Sequence, residues 1–185
     1  MSKNMNFKIV IVGLLAVSAE LVAQGATGTL QFIDLAGGSI SPGNSITTAT
    51  TFTIGDMYSI SGTGVFASYP SKDFGSVTFT PSVPTSLSFS RNDFGNFVST
   101  AIEKLNSSSS QVTYEAFGVY NSGPFDGGAI VSAPATFTTT FSQSQAGSSI
   151  SDSSTFTLTT VPEPSSLALC LMSGLGGLLA FRRRK

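Results

Sequence analysis

Residues 135 to 143 read "ATFTTTFSQ". Successive side chains of a β-strand point to opposite faces, so this stretch sets Phe137, Thr139 and Phe141 on one side and Thr138 and Thr140 on the other. The period is two rather than 3.6, which predicts a half-buried strand. The same rhythm recurs in "STFTLTT" with Phe156 and Leu158, in "TTFTIG" with Phe52 and Ile54, in "SVTFT" with Val77 and Phe79, and in "TSLSFS" with Leu87 and Phe89. Each is a short strand with one apolar face and one hydroxyl-bearing face.

Two further segments alternate less cleanly. "GTLQFIDL" lies near the start of this region, and "QVTYEAFGVY" sets Val112, Tyr114 and Ala116 opposite Phe117 and Val119. Turn formers stand between the strands, in "AGGSISPGN", "TPSVP", "NSGPFDGG" and "QSQAGSSISDSS". Pro81, Pro84, Pro124 and Pro134 mark strand ends or edges, where a missing N–H does least harm. Many short antiparallel strands, each with one apolar face, predict an all-β antiparallel β-sandwich, jelly-roll or Ig-like, with phenylalanines filling the interior. Strands at 135–142 and 154–160 are expected to close it as a hairpin. "RNDFGNFVSTAIEKLNSSSS" departs from the pattern: Phe97, Ala101 and Leu105 stand at i, i+4, i+8. That spacing fits a strand pair or a short helix near 95–105, and the helix is the preferred reading.

Composition narrows the chemistry. The 185-residue chain has no histidine and one cysteine, Cys170. Ser-His-Asp and Cys-His arrangements and the usual zinc sites are therefore excluded. No nucleophile elbow, phosphate loop or dinucleotide fingerprint occurs. Residues 26–160 hold three cations (Lys72, Arg91, Lys104) against eight acids (Asp34, Asp56, Asp73, Asp93, Glu103, Glu115, Asp126, Asp152), a net charge of −5, and about a third of them are Ser or Thr. Nucleic acid is a poor partner for such a segment, because phosphate binding needs clustered Lys and Arg.

Carboxylates are the remaining candidates for catalysis. Asp73 with Asp93, or Glu103 with Glu115, could pair as a glycosidase acid and base, although any acidic sandwich offers such pairs. Loops around Asp126 and Asp152 supply oxygens for calcium, but the spacing matches no EF-hand and turn formation explains Asp, Asn and Gly there without an ion. Asn106-Ser107-Ser108 has the form of a glycosylation sequon, and exposed Ser and Thr could carry O-linked sugar. Tyr58, Tyr69, Tyr114 and Tyr120 raise a sugar-stacking platform, against the commoner role of half-buried strand residues. The expectation is no catalytic residue, no metal and no cofactor.

The two ends of the chain read as addresses. "MSKNMNFKIVIVGLLAVSAELVAQGATG" has a secretory layout: Lys3 and Lys8 ahead of the apolar run Ile9–Val17, then small Ala23 and Gly25 at the positions a signal peptidase reads. Cleavage is expected after Gly25. Nine apolar residues are too few for the ~20 of a spanning helix. At the other end, Leu167 to Phe181 carry no charge. As a helix at ~1.5 Å per residue they reach about 22 Å, short of a ~30 Å hydrocarbon core unless neighbouring residues or a thinner bilayer extend the span. Arg182, Arg183, Arg184 and Lys185 would hold that end in the cytoplasm and leave residues 26–160 outside. Ser173 to Gly177 has small-xxx-small spacing, which lets another membrane helix approach. Pro162 and Pro164 push Val161 and Glu163 toward extended backbone, the shape a protease grips.

"VPEPSS", an apolar span and a terminal "RRRK" together resemble the PEP-CTERM sorting signal of exported bacterial proteins, over the last 25 or so residues. The resemblance implies recognition by exosortase, a membrane cysteine protease or transpeptidase, with Pro162, Glu163 and Pro164 as the motif. It also implies a Gram-negative host that makes exopolysaccharide and biofilm. Three parts are thus expected: a signal peptide at 1–25, an exported β-sandwich at 26–160, and a sorting segment with a transmembrane helix at 161–185. Signal peptidase and exosortase would process the chain, which would be anchored in the inner membrane first and then released or attached at the cell surface. The functions expected are a non-enzymatic surface or matrix protein or, as the alternative, a carbohydrate-binding module for exopolysaccharide.

Overall fold

The computed structural model describes residues 27–126 and 132–159. The expected signal peptide, transmembrane helix and sorting segment lie outside them. Within the described residues ten strands form two antiparallel sheets. They are β1 (Gly28–Asp34), β2 (Ser39–Ser41), β3 (Thr51–Ile54), β4 (Met57–Gly62), β5 (Val77–Phe79), β6 (Ser88–Arg91), β7 (Gly95–Ser107), β8 (Gln111–Ser122), β9 (Ala133–Gln143) and β10 (Ile150–Leu158). The larger sheet runs β4-β1-β10-β9-β8-β7-β6 and the smaller β2-β3-β5. Helical structure among the described residues is confined to two single 3₁₀ turns, Gly64–Phe66 and Pro124–Asp126.

The threonine–phenylalanine alternation sets the register. Leu30, Phe156, Phe137, Ala116 and Ile102 stand opposite one another in one inward-facing row across β1, β10, β9, β8 and β7. One position along, Gln31, Thr155, Thr138, Glu115 and Glu103 make the matching outward row. Hydroxyls bond to one another on such outer faces, as Thr113 with Thr140 at 3.0 Å and Thr53 with Thr78 at 2.8 Å. The inner face of the small sheet closes over the large one: the Phe52 ring lies 5.0 Å from Tyr114 and 5.1 Å from Phe141. Both sheets therefore share one aromatic core, an arrangement consistent with a β-sandwich. With each fully buried Phe contributing about 1.5–3 kcal/mol, that core needs no disulfide staple.

The predicted helix near 95–105 is a correction: those residues belong to β7, paired with β8 along its length. Bulges explain the misleading period. Phe97 and Ser99 are buried, but the register shifts between Ser99 and Ala101. Ala101 then stands opposite Phe117 on the outer face, and Ile102 opposite Ala116 on the inner one. A second shift between Lys104 and Asn106 takes Leu105 out of register. The i, i+4, i+8 spacing thus joins a buried residue, one on the outer face and an exposed one at a bulge, as one extra residue per bulge requires. The close approach of β7 and β8 also fixes Gly118, where a Cβ would stand 2.3 Å from the Val98 carbonyl oxygen.

Candidate functional site

Of the positions expected from the sequence to act in sorting, Ala23, Gly25, Pro162, Glu163, Pro164, Arg182, Arg183, Arg184 and Lys185 lie outside the described residues. The carboxylates fall inside, apart from the Asp126 side chain. Asp73 and Asp93 are tied to one cation, Arg91. Its Nε lies 2.7 Å from Asp93 Oδ1, and its Nη1 donates to the Asp73 carbonyl. Burial works against ionisation of Asp93, but the Arg91 guanidinium, the Tyr69 hydroxyl and nearby backbone N–H groups hold its carboxyl below the usual range. These groups serve as struts at the loop before β7. Glu103 and Glu115 are brought directly opposite each other on the outer face of β7 and β8.

Three of the four tyrosines weighed as a sugar platform turn inward, the commoner role for strand tyrosines. Tyr69, Tyr114 and Tyr120 are 7%, 4% and 0% exposed. Tyr69 donates to Asp93 Oδ1 at 3.2 Å and Tyr120 to the Phe94 carbonyl at 2.6 Å. Lys104 Nζ lies 5.9 Å from the centre of the Tyr114 ring. The outward aromatic of this region is instead Phe117, between Ala101 of β7 and Thr136 of β9. Val98 and Val119, opposed on the same outer face, extend it into a small apolar patch.

Open hollows on the surface of the described residues include two lined by polar side chains. One, of about 400 Å³, runs between β5 and β6 and is lined by Ser76, Ser88, Ser90 and Asn96 around Phe74, Phe89 and Phe97. The other, of about 620 Å³, is walled by Ser110, Gln111, Ser142, Gln143, Ser144, Ser149 and Ser151. Neither is lined by a titratable side chain. Among the described residues no three acidic or sulfur side chains group as a metal would need.

The most perturbed polar pair was not singled out from the sequence. Asp34 ends β1 and Asp152 lies on β10; since Ile33 pairs with Ser153, the two carboxyls face each other across the strands on the inner side. Asp34 is well provided with donors. Its Oδ1 accepts N–H bonds from Ala36, Gly37 and Asp56 at 3.0, 3.0 and 2.8 Å, and its Oδ2 one from Gly55 at 2.9 Å. Burial opposes its charge, yet the facing Asp152 carboxyl and these amides hold it below the ordinary carboxylate range. Both Asp152 oxygens are buried and meet no N–H or hydroxyl donor. Burial, followed by the neighbouring Asp34, pushes Asp152 up to about 8. No periodicity announces such a pair; only the β1–β10 register creates it.

Comparison with protein-family models, with curated proteins and with solved structures finds no match.

Proposed function

We propose that this is an exported, non-enzymatic surface or extracellular-matrix protein, associated with biofilm and sorted through Pro162, Glu163 and Pro164. The observation that carries this reading is the three-part ending "VPEPSS", apolar span and "RRRK", paired with a secretory N-terminus. On this reading the 26–160 portion is a β-sandwich, jelly-roll or Ig-like, displayed after exosortase removes the tail. Its Ser/Thr outer faces and disulfide-free aromatic core suit display outside the cell. The engagement of Asp73 and Asp34 with backbone N–H groups, and of Asp93 with Arg91 and Tyr69, supports a structural use of carboxylates over a catalytic one.

Intact mass and C-terminal peptide mapping of the mature protein, from the host's envelope and medium, test the proposal. The expected species starts near Ala26 and ends near Pro162 to Pro164, with or without added mass. A mature chain still ending in Arg182 to Lys185 would sink the processing step and leave a tail-anchored envelope protein.

Phe117 favours a second reading, the carbohydrate-binding module. Phe117 is 36% exposed on the outer face, beside Val98 and Val119 and opposite Thr136, with Glu115 two residues away on the same side. Sugars stack on aromatic faces while carboxylates and hydroxyls accept and donate at their edges. Pull-down on the host's exopolysaccharide should retain the protein, and Phe117→Ala should weaken binding at least about tenfold, the equivalent of 1.4 kcal/mol. Equal retention of both would remove this reading without touching the first.

A further inference from the structure

We propose that Asp34 and Asp152 share a single proton and form a pH-sensitive clasp over the crossovers between the two sheets. The clasp is closed while the proton is held and released when it is lost to solvent.

The position of the pair carries the argument. Chain passes from the large sheet to the small one between β1 and β2, and returns between β3 and β4. Asp34 binds N–H groups on both crossovers: Ala36 and Gly37 on the first, Gly55 and Asp56 on the second. Asp152 meets the same place from the other side. The residue two before it on β10, Ile150, accepts the Gly38 N–H at 3.1 Å, and a Cβ on Gly38 would stand 3.1 Å from Asp152 Oδ2. One carboxylate therefore fastens both crossovers, and a second presses on it with buried oxygens that no donor reaches.

Two charges there disfavour the closed arrangement. Like charges directly opposite on neighbouring strands repel, and a buried carboxylate without donors is disfavoured on its own account. Asp34, with its amides, is the member that keeps the charge. Asp152 is the member that keeps the proton, and its O–H then has Asp34 as acceptor. The surrounding elements offer no relief. Phe141 of β9 is opposite Asp152, the β2 side presents Gly38, and no Lys or Arg contributes to the shift of either carboxyl. The next charged groups are themselves acids, Asp56 and Asp73. Asp73, then burial, then the charge of Asp34 raise Asp56 in its turn.

The sign of the pH dependence follows. Because the folded state holds the Asp152 proton more tightly than the unfolded chain, stability falls as pH rises from the usual carboxylate range toward about 8 and levels off above it. Asp34, shifted the other way, gives an acid limb in which stability is lost as pH falls below that range. The full chain in detergent, followed by thermal unfolding and hydrogen exchange from pH 6 to pH 9, tests this.

The wild-type midpoint should fall by about 5 °C or more over that range. Exchange at Ala36, Gly37, Gly55 and Asp56 should accelerate beyond the base-catalysed rise seen in β8 and β9. Asp152→Asn, which offers Asp34 a permanent N–H donor of the same shape, should flatten both responses. An equal pH response in wild type and Asp152→Asn would overturn the proposal. So would a calcium-dependent rise of the wild-type midpoint at pH 9 that Asp152→Asn lacks, which would make the pair a cation site.

Discussion

Phe94→Ala is expected to lower stability by about 3–5 kcal/mol, the upper range for emptying an aromatic site in a core. The reason lies in where this ring sits rather than in its size. Phe94 belongs to no strand; it occupies the turn between β6 and β7 and is fully buried there. Its ring meets those of Phe66, Tyr69, Phe74, Phe89, Tyr120, Phe125 and Phe156 at centroid separations from 4.9 to 6.2 Å. The neighbours come from β6, β8, β10, both 3₁₀ turns and the segment between the first of these turns and β5, so no single element can collapse into the void. Its carbonyl also accepts the Tyr120 hydroxyl and the Gly123 N–H. The backbone of this turn is thus held by the same groups that pack on its ring. Phe94→Leu, which refills most of the volume, should recover about half of the loss. Urea unfolding of the three proteins decides it; a loss under about 1 kcal/mol for the alanine variant would mean that the cluster repacks and that this turn does not organise the core.

The strands carrying phenylalanine at alternate positions were legible in the sequence because two signals coincide in them. A ring inward and a threonine hydroxyl outward give both hydrophobic period and β propensity, as at Phe137–Phe141 and Phe156–Leu158. Where the two signals part, the reading fails. In β4 the inward residues are Met57 and Ser59, while Ile60 is 44% exposed. Ser59 can face inward because its hydroxyl accepts the Lys72 N–H at 2.8 Å and donates toward the Pro70 and Lys72 carbonyls. A serine in that role is indistinguishable from a turn residue until the 70–73 segment is seen beside it. In β7 the bulges shift phase and imitate a helical repeat. The inward tyrosines need only one acceptor each for their hydroxyls, and Asp93 supplies it to Tyr69 and the Phe94 carbonyl to Tyr120. The Asp34–Asp152 pair joins residues from opposite ends of the domain, and its meaning depends on register alone. The proposed export and sorting rest on the two ends of the chain, independent of how the β domain packs.

Asp34→Ala should have the second largest effect, a loss of about 3–5 kcal/mol near pH 7. Four backbone N–H groups converge on this one side chain. Hydrogen bonds to a charged acceptor contribute about 1.5–3 kcal/mol each, but they do not add when they share one acceptor. Ala36 and Gly37 lie at the surface, where water replaces the lost carboxylate. Gly55 and Asp56 are partly buried, and their N–H groups lose a partner that solvent replaces poorly. The packing there is also close: a Cβ on Gly55 would stand 2.4 Å from the Gly37 carbonyl oxygen. The two crossovers therefore lie against each other and cannot separate to admit water without disturbing β2 and β3. Against this stands one gain, since removing Asp34 removes the charge that Asp152 faces. Below about pH 8 Asp152 is protonated and that gain is small; at pH 9 the wild type carries both charges, so the penalty of Asp34→Ala should shrink. Asp34→Asn keeps one acceptor oxygen for these amides and should lose roughly half as much as the alanine variant at pH 7. Urea unfolding of wild type, Asp34→Ala and Asp34→Asn at pH 7 and pH 9 separates the two contributions. A penalty that is the same at both pH values would show that Asp34 acts only as an anchor for the amides. A penalty within about 0.5 kcal/mol, the range of ordinary surface changes, would show that the crossovers are held by packing and not by this carboxylate.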